Sequence, residues 1–208
     1  MSFNVLLDGL PAQYEGHRIN TDFRIGVQMS QAVEDPELNQ TEKIAICVDL
    51  LFGGEDSGPL PDPKTAAAGV QWFLTGWVTD RPGKEKTSTP IMDFDVDQWR
   101  IYAAFRSQYH IDLNTADLHF WVFMALLSTL NECAYTRVLD IRTRKPHKKT
   151  SAEEKKMLAE LKKRFALETK ESAEERAERE RIAREFLAGV TIHKGEQAQW
   201  LNSTEVSE

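Results

Sequence analysis

Positions 118–130 read Leu118-His119-Phe120-Trp121-Val122-Phe123-Met124-Ala125-Leu126-Leu127-Ser128-Thr129-Leu130. Leu118, Trp121, Val122, Ala125, Leu126 and Leu130 recur at helical spacing, and Phe120, Phe123, Met124 and Leu127 fill the remaining faces. A helix that is apolar on nearly every side has to be surrounded. The rest of the chain must supply the shell, or other chains must do so. At 208 residues there is enough chain to bury such a helix in one core. No apolar run approaches the ~20 residues needed to cross a bilayer, and the start MSFNVLLDGL lacks the basic opening and long apolar stretch of a signal peptide. A membrane-spanning protein is excluded on this reading, and ordinary secretion is not expected.

The shell is written in helix starts. Asp35-Pro36-Glu37 and Asp62-Pro63 each place a capping carboxylate before a proline, whose missing N–H costs nothing in a first helical turn. Behind the first, Leu38, Thr41, Ala45, Val48 and Phe52 share a face and Gly53 stops the helix. Behind the second come Ala66, Val70, Phe73, Leu74 and Trp77, ended by Asp80-Arg81-Pro82-Gly83. A shorter helix is expected over 22–33, and another from Phe94 through Ile101, Tyr102, Phe105 and Tyr109. Asn114 precedes the central helix. Residues 3–7 are expected to be a short extended segment, and 53–62 and 80–92 to be loops longer than the common ~4–6 residues. The fold class is all-α.

After Arg142 the composition changes. Residues 1–143 hold 11 Lys+Arg against 20 Asp+Glu, residues 144–194 hold 15 against 10, and residues 195–208 hold three acids and no base. Thr150-x-x-Glu153 and Ser172-x-x-Glu175 read as capping boxes opening two charged helices. Their apolar stripes are Met157, Leu158, Leu161 and Phe165, then Ile182, Ala183, Phe186 and Leu187, stopped at Gly189. Each stripe is too narrow for a core of its own and must pack on the other, on the body or on another chain. The expected organisation is a helical body over 1–143 that folds without the arm, a charged helical arm over 144–194, and a flexible acidic tail over 195–208. Met157, Leu161, Phe165, Ile182, Phe186 and Leu187 are the candidate partner-binding residues, whereas Tyr102, Phe105 and Trp121 are assigned to the core.

The residue types that carry chemistry do not assemble into complete motifs. Asp93-Phe94-Asp95-Val96-Asp97 opens like a calcium loop, but Gln98 and Ala104 stand where that loop needs glycine and a bidentate glutamate. These acids read as helix caps. Lys64-Thr65 follows Pro63, where a phosphate loop needs a glycine N–H. His110 and His119 lie near Asp112 and Asp117, with no nucleophile motif beside them. Cys47 and Cys133 are far apart and sit in apolar surroundings, which points to a reducing compartment and to packing roles. Arg137, Arg142, Arg144, Lys145, Lys148 and Lys149 cluster against the single acid Asp140. With no aromatic residues interleaved from 142 to 164, the cluster reads as a solvated connector rather than a nucleic-acid site. No catalytic residue, cofactor or metal is expected.

One ordered series of segments resembles a known family. Ile19-Asn20-Thr21-Asp22-Phe23-Arg24 is followed by Asp93-Phe94-Asp95, Ile101-Tyr102-Ala103-Ala104-Phe105 and Gln108-Tyr109-His110-Ile111-Asp112-Leu113. The series continues with Leu118-His119-Phe120-Trp121-Val122-Phe123 and Ala125-Leu126-Leu127, and ends in Val138-Leu139-Asp140-Ile141-Arg142. Over about residues 15–145 it resembles the siphophage gene-product-fifteen family of tailed phages and prophages. That family usually has glycine in a tight turn where His110 stands here. The resemblance implies a non-enzymatic tail-assembly role in the host bacterial cytoplasm, encoded between the genes for the tail tube and the tape-measure protein. The implied partners are phage tail proteins, namely the tape-measure protein and a tail assembly chaperone partner, with a homo-oligomer as a further possibility and no membrane. The chain itself would be absent from the mature virion. A structural virion component, such as a head–tail connector or tail-completion subunit, is the alternative, with a helical nucleic-acid binder behind it.

Overall fold

The computed structural model describes residues 4–53, 58–77, 91–147 and 150–167, together with 181 and 184. The chain divides into two compact units, Met1–Asp35 with Asn39–Glu168, and Pro36–Leu38 with Thr169–Glu208. Every element below belongs to the first, which therefore runs past position 143. The capping box at Ser172, the stripe of Ile182, Ala183, Phe186 and Leu187, the stop at Gly189 and the tail 195–208 lie outside the described residues, as does most of the 80–92 loop.

Each helix starts where a side chain can take up its orphan N–H groups. Asn4 caps a single turn, α1 (Val5–Asp8), where extended backbone was expected. Extended backbone comes next, in a small antiparallel hairpin of β1 (Gln13–Tyr14) and β2 (His17–Arg18). Its turn residues Glu15 and Gly16 both have positive φ, at 48° and 81°, which suits the twist of a two-residue hairpin. Asp22 caps α2 (Phe23–Glu34), as the sequence suggests.

Asp35-Pro36 does not open the next helix. α3 (Gln40–Phe52) starts three residues beyond Glu37, because Asn39 and Glu42 form a reciprocal capping box, while Asp35 ends α2. Asp62 caps α4 (Pro63–Thr75), and Asp93 caps α5 (Phe94–Gln108). α6 (Phe120–Ser128) is capped by His119 rather than opened by Asn114, which lies in a preceding turn. α7 (Ala134–Thr143) follows, where part of a connector was expected. α8 (Ala152–Phe165) is capped by Ser151 with Glu154, one residue later than the Thr150 box.

The fold is all-α, with α6 at its centre. Phe120, Trp121, Phe123 and Leu127 of that helix are buried. Phe123 stacks between Phe23 of α2 and Phe105 of α5, with ring centroids 4.8 and 5.1 Å away. On another side the Trp121 indole N–H donates to the Phe73 carbonyl at 2.7 Å, and Phe120 packs on Phe73 at 5.3 Å. Phe105 and Trp121 thus sit in the core as expected, whereas Tyr102 is only half-buried and outside the core cluster, its hydroxyl donating to Asp112.

α5 ends in a turn that needs left-handed backbone. His110 takes φ 58° there, at the position where the resembling family usually has glycine. A side chain in that conformation costs about 1 kcal/mol relative to glycine. His110→Gly is therefore expected to raise stability by about 0.5–1 kcal/mol, read as a rise in urea midpoint with an unchanged m value. A fall in the midpoint would mean the imidazole makes a contact worth more than the strain.

Candidate functional site

Several of the residues that suggested chemistry are used in holding the fold. Asp93 caps α5, accepting from the backbone N–H groups of Asp95 and Val96. Asp95 accepts from Gln31 Nε2 at 2.6 Å. Asp97 turns inward and has no exposure at all. The three carboxylates do not converge, and among the described residues no group of three or more His, Cys, Asp or Glu could hold a metal ion. The backbone N–H groups of Lys64 and Thr65 donate to Asp62.

His119 is occupied on both nitrogens. Its Nδ1 accepts from the Trp121 N–H at 3.0 Å, and its Nε2 lies 3.1 Å from the Pro11 carbonyl, to which it donates. That pairing fixes the neutral Nε2–H tautomer, and burial holds the ring's pKa below its ordinary value. Asp112 accepts from the Tyr102 hydroxyl and from the Asn114 N–H. Cys47 is buried, with its thiol pushed up by burial and directed at the Met29 carbonyl; Cys133 stands at the start of α7.

The Arg137–Lys149 cluster divides. Arg137 and Arg144 are exposed and paired with Glu132 and Asp140. Lys148 and Lys149 lie outside the described residues. Arg142 is not solvated: its side chain is only 7% exposed, and it grips the buried Asp97 carboxylate with two N–H groups, at 2.6 and 3.1 Å. It also donates to the carbonyl of Ile91 at 3.1 Å and, through Nε, to that of Phe165 at 2.7 Å. Arg100 approaches Asp97 from the surface at 2.9 Å. One guanidinium thus ties α5, α7, the segment entering α5 and the end of α8. Tyr135 packs close by. Its pKa is pushed up to about 12, first by burial and then by the Asp97 charge, and its hydroxyl meets Met92 Sδ at 3.4 Å.

Of the six residues assigned to partner binding, three are described. Met157 is 64% exposed. Leu161 and Phe165 are half-buried and turned toward the body, so the α8 stripe has an intramolecular neighbour in α7. The guanidinium groups of Arg100 and Arg164 lie 5.8 and 5.7 Å from the Phe165 ring centroid. Ile182, Phe186 and Leu187 lie outside the described residues. Between α7 and α8 runs an open groove of about 670 Å³, lined by Ile141, Leu161 and Thr136 together with the Arg137–Glu132 and Arg144–Asp140 pairs.

Two apolar surfaces were not anticipated. Leu6 and Leu7 of α1 are 89% and 82% exposed, and on α5 Trp99 is 75% exposed beside Val96. Trp99 lies off the Ile101–Phe105 stripe among Asp95, Gln98 and Arg100, and an aromatic residue out of phase with its helix's core face is the signal that finds it.

No helix among the described residues is long and apolar enough to cross a membrane. No curated protein and no solved structure matches the chain. The family model described as Bacteriophage Gp15 protein matches residues 6–167, which takes in α2 through α8 and most of α1 and extends beyond the 15–145 span of the sequence resemblance. The chain belongs to the bacteriophage Gp15 protein family.

Proposed function

We propose that this protein acts by binding rather than catalysis, as a chaperone or co-chaperone of phage tail assembly that holds the tape-measure protein soluble in the host cytoplasm. The observation that carries the reading is membership of a bacteriophage protein family across residues 6–167, which hold α2 through α8 in full. The physics agrees with it. Asp93 and His119 are spent on helix caps and Cys47 on packing, while Leu6, Leu7, Trp99 and Met157 present apolar area to solvent. A charged amphipathic helix beside a groove lined by Ile141, Leu161 and charged side chains suits recognition of another amphipathic helix. The partners are then the tape-measure protein and a tail assembly chaperone partner.

A chaperone leaves before the particle is complete, whereas a connector or tail-completion subunit remains. Quantitative mass spectrometry of purified virions and of the assembling lysate separates the two. The chaperone reading expects the chain in the lysate, co-purifying with tail proteins, and none in virions. Recovery from virions in fixed ratio to tail proteins would establish the structural alternative.

A further inference from the structure

We infer that α8 is a displaceable latch, and that the α7 face it covers is the surface on which an amphipathic helix of the partner docks in its place. The inference rests on the helix-binding reading above and adds where the helix goes. α8 is unlike the other long helices: α2 through α7 each bury residues, and α8 buries none. Its stripe is half-buried at Leu158, Leu161 and Phe165 and open at Met157, and the groove between Ile141 and Leu161 leaves the contact with α7 unfilled. The described linker residues Arg144, Lys145, Pro146 and His147 are exposed. Few buried apolar contacts and an exposed tether are the marks of an element that opens before the rest of a domain does.

The deep attachment is at the helix end, where Arg142 Nε donates to the Phe165 carbonyl. That bond satisfies one of the orphan carbonyls of a helix C-terminus and places a cation at the negative end of its dipole. It is also the part of the Arg142 network that can be given up. Asp97 is held by the terminal nitrogens, which also serve Ile91, so departure of α8 leaves the buried carboxylate fully paired and only exchanges the Nε partner for water. An incoming helix with apolar residues at the spacing of Met157, Leu161 and Phe165 can present its own C-terminal carbonyl to the same Nε. α8 in the closed chain therefore stands in for the partner.

Hydrogen exchange on the full chain, with no partner present, tests the latch independently of the chaperone reading. Amides of α8 are expected to exchange at least about 100-fold faster than the core amides of α5 and α6, with little dependence on sub-denaturing guanidinium. Equal protection with a shared denaturant slope would make α8 part of the cooperative core and overturn the inference. A second measurement uses a synthetic peptide of residues 151–166 added to the full chain. It should bind Leu161→Ser/Phe165→Ser, whose own latch is weakened, at least about tenfold more tightly than the unaltered chain. Equal affinity for the two, or no binding to the variant, would show that the α7 face does not accept a helix in trans.

Discussion

Asp97→Ala is expected to lower the melting temperature by about 10 °C. The Asp97 carboxylate is fully buried, and its principal partner Arg142 is 7% exposed. Removing one member of such a pair strands the other charge away from water, which typically costs about 3–5 kcal/mol. For a domain of this size each kcal/mol moves the melting temperature by about 2–4 °C. Arg100→Ala, which removes the half-exposed partner on the solvent side, should cost at most about 1 kcal/mol. The contrast between the two variants is the informative result. Asp97→Leu combined with Arg142→Met should recover much of the loss, because an apolar pair leaves no unmatched charge, although the Ile91 and Phe165 carbonyls then lose their donor. Melting temperatures of Asp97→Ala and Arg100→Ala within 2 °C of each other would mean that water already reaches Arg142.

Gly26→Ala is expected to destabilise the protein by about 2–3 kcal/mol, although alanine is the better helix former by about 1 kcal/mol. α2 and α6 approach each other here so closely that a Cβ on Gly26 would fall well inside contact distance of the Phe120 ring carbons. Phe120 is 1% exposed and backed by Phe73, so the ring has nowhere to retreat without moving α4 as well. Forcing extra volume into a packed core commonly costs 1–3 kcal/mol, and this contact lies at the severe end. Chemical denaturation with tryptophan fluorescence measures the loss, since Trp121 is buried in the same core, on the α4 side of α6. An unchanged or raised midpoint would mean that α2 slides freely along α6.

Most of the helical order was legible because caps and apolar stripes are local signals. Asp22, Asp62 and Asp93 open helices where the residue pattern places them. Errors arose where two signals compete within one turn: Asn39 with Glu42 prevails over Asp35-Pro36, and Ser151 with Glu154 over Thr150 with Glu153. In both cases the prevailing side chain accepts from the helix while the glutamate carboxylate accepts from the backbone N–H of the capping residue, a reciprocity that residue spacing alone does not resolve. The Asp97–Arg142 pair was missed for a different reason. Asp97 falls in phase with Ile101, Ala104 and Phe105, and Arg142 in phase with Tyr135 and Val138. Each is a charge on an apolar stripe, which was a readable sign of burial. That the two meet across 45 residues is a fact of tertiary packing. The α8 stripe was read correctly as apolar, but its neighbour α7 was hidden inside what looked like a basic connector.

Co-expression with the tape-measure protein of the same phage tests the central claim most directly. The tape-measure protein should be largely insoluble alone, and soluble and co-purifying with this chain when the two are made together. Replacing Leu161 and Phe165 by serine removes apolar area worth roughly 25 cal/mol per Å² from the seat of α8 on α7, frees that face, and should raise the yield of complex several-fold. Replacing Lys155 and Lys156 by glutamine should change it little. A tape-measure protein that remains insoluble beside abundant, folded, full-length chain, with no complex recovered, would contradict the account.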